Sequence, residues 1–176
     1  MTRQQLEHII RASAQIADDD DIVVIGSQAV LGQYPVAPAD LRVSMEADVY
    51  PRNHPERADL IDGSIGEASP FHDTFGYYAQ GVGENTATLP AGWKERLIPV
   101  CNANTRGATG WCLEVHDLCI AKLVAGREKD LMFLESVSRH RMADPGTLRN
   151  RLGDTTIAPE VRSLAEARLR RIFLGA

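Results

Sequence analysis

Two carboxylates stand two residues apart at Glu46 and Asp48, inside Met45-Glu46-Ala47-Asp48-Val49-Tyr50, and a glycine-serine pair, Gly26-Ser27, closes an apolar run upstream. In an extended chain residues i and i+2 leave the backbone on one face, so the two carboxylates come within a few ångströms of each other. Like charges so placed repel unless a cation lies between them or water screens them. Their hard oxygens suit Mg²⁺, which binds phosphate oxygens while keeping some of its water. Gly26 lets backbone amides approach an anion closely, and Ser27 offers a hydroxyl where a short helix begins. The chemistry these types predict is the joint placement of a metal and a nucleotide. The competing reading is a solvated edge strand with acidic side chains pointing outward. No Gly-x-x-x-x-Gly-Lys-Ser/Thr loop, dinucleotide fingerprint or Gly-x-Ser-x-Gly elbow occurs around Ser27.

A second constellation, Lys122, Arg127, Lys129 and Asp130, lies far downstream. A helix from His116 to Gly126 that restarts after a bend turns Lys122 and Arg127 toward the carboxylates, where they would neutralise a triphosphate and arginine could grip two oxygens at once. Otherwise this is a solvent-facing turn with local ion pairs of little energetic weight. His72 could touch substrate or orient a carboxylate, but a hydrogen bond to its own turn is the simpler expectation. His116-Asp117 is expected to cap a helix, and Trp93 and Trp111 to anchor the core or an interface rather than stack on bases, since no basic stripe runs beside them.

Positioning these groups requires strands and helices in a particular order. Thr2 and Gln5 have the spacing of a capping box, and Leu6, Ile9, Ile10, Ile16 and Ala17 share a helical stripe. The acidic run Asp18 to Asp21 disfavours that helix's C-terminal end and reads as a solvated loop. Ile22 to Ile25 suits a buried strand, Gln28 to Leu31 a short helix, Ser44 to Tyr50 a strand of period two, and the stretch from Pro55 to Ile65 a helix. Frequent glycines then exclude long helices and favour short strands around 75–82, 96–101 and 111–115, with a polar turn over 102–110. Helices follow over 116–126, 128–141 and 159–174. The expected fold is α+β or α/β: a mixed sheet packed by helices in one domain over residues 1–176, with a helical C-terminal portion from about 116.

The chain carries 176 residues, 44% of them apolar, and a formal charge of −5. That suffices for one ordinary core and implies no broad nucleic-acid footprint, although a local basic pocket remains compatible with it. Cys101, Cys112 and Cys119 form no Cys-x-x-Cys pair, so buried thiols are expected rather than a disulfide scaffold. The N-terminal stretch lacks a signal-peptide pattern and no apolar run reaches spanning length, which points to a cytoplasmic protein with no membrane partner.

The stretches Ile25-Gly26-Ser27-Gln28-Ala29-Val30, Met45 to Tyr50, and Leu118-Cys119-Ile120-Ala121-Lys122-Leu123-Val124-Ala125-Gly126-Arg127-Glu128-Lys129-Asp130 resemble the nucleotidyltransferase superfamily with a DNA-polymerase-beta-like core. The likeness is to its small bacterial branch of uncharacterised or toxin-like members, over roughly residues 5 to 140. The resemblance implies that Gly26 and Ser27 hold nucleotide phosphates, that Glu46 and Asp48 bind Mg²⁺, and that Lys122, Arg127 and Asp130 complete the active site. It implies transfer of a nucleoside monophosphate from an NTP to a hydroxyl of RNA, tRNA included, or of a protein, with an antitoxin as a possible partner. Two departures stand out. Glu46 replaces the family's usual first aspartate, and the third carboxylate has no clear equivalent: 96–101 contains no acid, so Glu114 is the candidate metal ligand. The alternative reading is a nucleotide-binding or regulatory module with weak catalysis.

Overall fold

The computed structural model describes residues 1–175. Helix α1 (Arg3–Ala17) starts on a complete Thr2–Gln5 capping box and stops at Asp18, whose φ of 50° is left-handed. It leads into β1 (Asp21–Val24), a turn of 3₁₀ helix (Ser27–Ala29) and the four-residue α2 (Val30–Gln33). Strand β2 (Glu46–Pro51), α3 (Ala58–Ile65), α4 (Pro70–Phe75) and β3 (Tyr78–Gly81) come next, then β4 (Ile98–Val100) and β5 (Thr109–Cys112). The C-terminal part is helical: α5 (Val115–Ala125), α6 (Glu128–Arg139), α7 (Pro145–Gly153) and α8 (Pro159–Leu169), with a π-helical turn over Arg170–Leu174.

The strands form one mixed sheet in the order β3-β2-β1-β5-β4. β1 pairs antiparallel with β2 and parallel with β5, β2 runs parallel with β3, and β4 runs antiparallel to β5. The β-branched run Ile22, Val23 and Val24 takes the central position because it is buried on both faces, which suits a strand packed between layers. α1 lays Leu6, Ile9 and Ile10 against the sheet. Gly110 on β5 makes room for Ile10, since a Cβ there would collide with the isoleucine side chain. α5 is buried by α6, α7 and α8, and its Leu118, Cys119, Ile120 and Leu123 are almost wholly enclosed.

The structure differs from the sequence expectation at several points. The acidic run is only partly a solvated loop: Asp19 is buried and accepts hydrogen bonds from the backbone amides of Asp21, Asn53 and His54 and from the Asn53 side chain. These bonds more than offset the effect of burial and hold its carboxyl below the usual range. α7 is a helix where none was expected; Asp144 caps it and Pro145 opens it. The strand expected from Ser44 begins only at Glu46, and Met45 just before it is exposed. Cys112 and Cys119 are buried free thiols, whereas Cys101 is exposed. No helix among the described residues is long and apolar enough to cross a membrane.

Candidate functional site

Glu46 and Asp48 leave the same face of β2, while Ala47 and Val49 point into the core and are fully buried. The period of two therefore sorts the strand as its sequence implies. The carboxylates open on a cleft of about 540 Å³, which is also lined by Gly26, Ser27, Gln80, Lys122, Arg127, Lys129 and Asp130. Burial raises the Asp48 pKa to about 7, assisted by the hydrogen bond and the negative charge of Glu46. Tyr78, paired with Glu46 on β3, donates its hydroxyl toward Glu46 Oε2 at 3.4 Å.

Gly26 serves this site differently from the sequence expectation. Its φ of −82° is open to any residue, but a Cβ added there would overlap the Asp48 carboxylate. Glycine is needed because the backbone of residue 26 and the Asp48 side chain share one space. The following helix is also too short for its dipole to matter, so the serine hydroxyl carries this part of the site. Ser27 Oγ accepts a hydrogen bond from Lys122 Nζ at 2.8 Å.

Lys122 comes from the buried face near the end of α5. Its ammonium also meets Asp130 Oδ1 at 3.1 Å and lies 4.6 Å from the centre of the Phe133 ring. Burial lowers its pKa, and Asp130 opposes that shift. Gly126, at φ 63°, ends α5 in the left-handed conformation and lets α6 start in a new direction, which is the bend the sequence required. Arg127 then caps α6, with Nε 2.7 Å from Asp130 Oδ2. Burial would raise the Asp130 carboxyl, but the hydrogen bonds and charges of Arg127 and Lys122 prevail and hold it low. Asp130 is thus a fully enclosed carboxylate between two cations, positioned to fix Lys122 and Arg127.

Of the residues singled out in the sequence, Gly26, Ser27, Glu46, Asp48, Lys122, Arg127 and Asp130 converge on one cleft. Glu114 does not. It is the N-cap of α5, its carboxylate binds the His116 amide and ring Nδ1 and pairs with Arg151, and it lies outside the residues that line the cleft. The sequence pattern places residue 114 on a strand, but β5 ends at Cys112, so Glu114 turns toward the helical region instead. Among the described residues, no group of three or more His, Cys, Asp or Glu is placed to hold a metal together. The hard carboxylate oxygens of Glu46 and Asp48 still suit Mg²⁺, and a divalent cation beside them would offset the cost that burial, aided by the hydrogen bond and charge of Glu46, places on the ionised Asp48.

His72 accepts a hydrogen bond from the Ala68 amide, as a turn-stabilising histidine should. Trp111 donates to Asp21 at 2.6 Å beneath the Arg52 guanidinium. Sequence reasoning missed Tyr78 and Gln80, which carry no motif; only the alternation along β3, set beside that of β2, could have drawn attention to them.

No curated protein and no solved structure matches the chain. A family model described as "Nucleotidyltransferase of unknown function (DUF6036)" covers residues 4–170. With the cleft and its residues in that span, the chain belongs to this family of the nucleotidyltransferase superfamily.

Proposed function

We propose that the protein transfers a nucleoside monophosphate from an NTP to a hydroxyl of an RNA, tRNA included, or of a protein, in the cytoplasm. The observation that carries this reading is the convergence of Glu46, Asp48, Ser27 and Lys122 on one cleft large enough for a nucleotide. In the reaction the acceptor oxygen bonds to the α-phosphorus, the bond to the oxygen bridging to the β-phosphorus breaks, and pyrophosphate leaves while the hydroxyl proton passes to solvent. Glu46 and Asp48 would hold Mg²⁺, which neutralises the triphosphate and favours the acceptor alkoxide. Lys122, fixed by Asp130, would bind the phosphates and stabilise the departing charge, with Ser27 and Arg127 orienting them. A separately encoded antitoxin is a candidate partner for such an enzyme.

Transfer of label from each of the four α-labelled NTPs to total RNA and to total protein tests the activity. Labelling that depends on Mg²⁺ and is lost in Asp48→Ala is expected; equal labelling by both proteins would remove Asp48 from the mechanism. A second reading, nucleotide binding with weak turnover, is favoured by the lack, among the described residues, of a free third carboxylate in the cleft. It predicts Mg²⁺-dependent nucleotide binding with no labelled product.

A further inference from the structure

Strand β3 runs parallel to β2 with Asp48 opposite Gln80, and in such a pair the two side chains stand on the same face of the sheet. Gln80 is exposed and lines the cleft beside the carboxylates. Its neighbour in register, Tyr78, faces Glu46 in the same way. The position from which a further acid could share a cation with Asp48 is therefore filled by an amide. That side chain brings a neutral oxygen acceptor and an NH₂ donor, with no charge.

Other acids do not make up the difference. Asp130 reaches the cleft wall, but both its oxygens are engaged by Lys122 and Arg127. Glu114 is held by His116 and Arg151 away from the cleft. Two carboxylates supply the protein oxygens of one divalent site. A second ion would find no free carboxylate of its own among the described residues of the cleft, where Lys122, Arg127 and Lys129 already stand to meet phosphate charge.

From this juxtaposition we infer that the cleft takes one divalent cation per bound nucleotide, and that Gln80, standing where a second cation would need a carboxylate, limits it to one. This rests on the nucleotide-binding reading above. In a one-cation site the lysine and arginine side chains carry the remaining phosphate charge.

The test is to count Mn²⁺ on the full-length protein saturated with a non-hydrolysable triphosphate, reading free Mn²⁺ by electron paramagnetic resonance. Wild type and Gln80→Ala should saturate at one Mn²⁺ per protein–nucleotide complex, and Gln80→Asp at two, with melting temperatures confirming that each variant is folded. A wild-type protein that binds two, or a folded Gln80→Asp that stays at one, would overturn the inference while leaving the nucleotide site intact. If neither Mn²⁺ nor the triphosphate binds, the functional reading fails and this inference falls with it.

Discussion

Two pairs of carboxylates in this molecule, Glu114 and Asp117 buried and Glu46 and Asp48 half-buried on the cleft, end in opposite electrostatic states. Glu114 and Asp117, at the start of α5, face cations: Arg151 bonds to both, Arg96 grips Asp117 at 2.9 Å and His116 meets Glu114 at 2.6 Å. Glu46 and Asp48 are hydrogen-bonded to each other, and the Lys122 ammonium on the same cleft is shared between Ser27 and Asp130. The consequence is that the two sites shift their carboxyl pKa values in opposite directions. Despite burial, the hydrogen bond and charge of His116, with those of Arg151, take the Glu114 pKa down to about 2, whereas burial and Glu46 push Asp48 up to about 7. A neutralised pair ties the end of the sheet to the C-terminal helices. An uncompensated pair on a cleft wall is a place where stability is given up and a ligand's charge can restore it.

That contrast can be broken by substitution. Arg151→Ala leaves two enclosed carboxylates short of a partner and should cost about 3–5 kcal/mol, roughly a 10 °C fall in Tm for a chain of this size. Asp48→Asn should do the reverse. The folded protein holds the Asp48 proton more tightly than the unfolded chain does, so ionisation opposes folding and stability falls as pH rises from about 4 to about 7. The variant should melt higher than wild type at pH 8 and show no advantage near pH 4. Calorimetric scans at the two pH values check both changes, and a stabilised Arg151→Ala or a destabilised Asp48→Asn would end the contrast.

The lowered pKa of Glu114 gives a smaller, graded effect. Its stabilisation is fully present above the unfolded carboxyl value of about 4.3 and is lost as pH falls toward about 2, which amounts to about 3 kcal/mol. Denaturant titrations between pH 5 and pH 2 should show that limb in wild type and a flatter one in Glu114→Gln. Gly26→Ala sharpens the comparison from the cleft side. Its methyl must displace the Asp48 carboxylate, so transfer should drop by about a hundredfold with only a modest change in Tm, measured as the initial rate of label transfer.

Much of the site was legible in the chain because its parts rest on short-range regularities. The alternation of β2 put Glu46 and Asp48 together, and a helix broken at Gly126 put Lys122 and Arg127 on the same approach. The capping box at Thr2 and Gln5 likewise marks the start of α1 without help from the rest of the fold. The place of Glu114 was not legible in the chain, because strand continuation past Cys112 and an N-cap at residue 114 look alike until the partner Arg151, far along the chain, is in place. α7 escaped notice because its apolar stripe is short and its caps do most to define it.

By itself, then, the sequence determined the chemistry on offer: two adjacent acids, a glycine-serine turn, and a lysine-arginine-aspartate group, all set by local periodicity and residue type. Only the tertiary structure decided which charges meet. It enclosed Asp130 between Lys122 and Arg127, gave Gly26 its role as the space beside Asp48, sent Glu114 to a structural cluster and set Gln80 opposite Asp48. These outcomes depend on strand register and helix packing between residues distant in the chain. Such contacts are fixed by burial of the whole core rather than by any segment's own pattern.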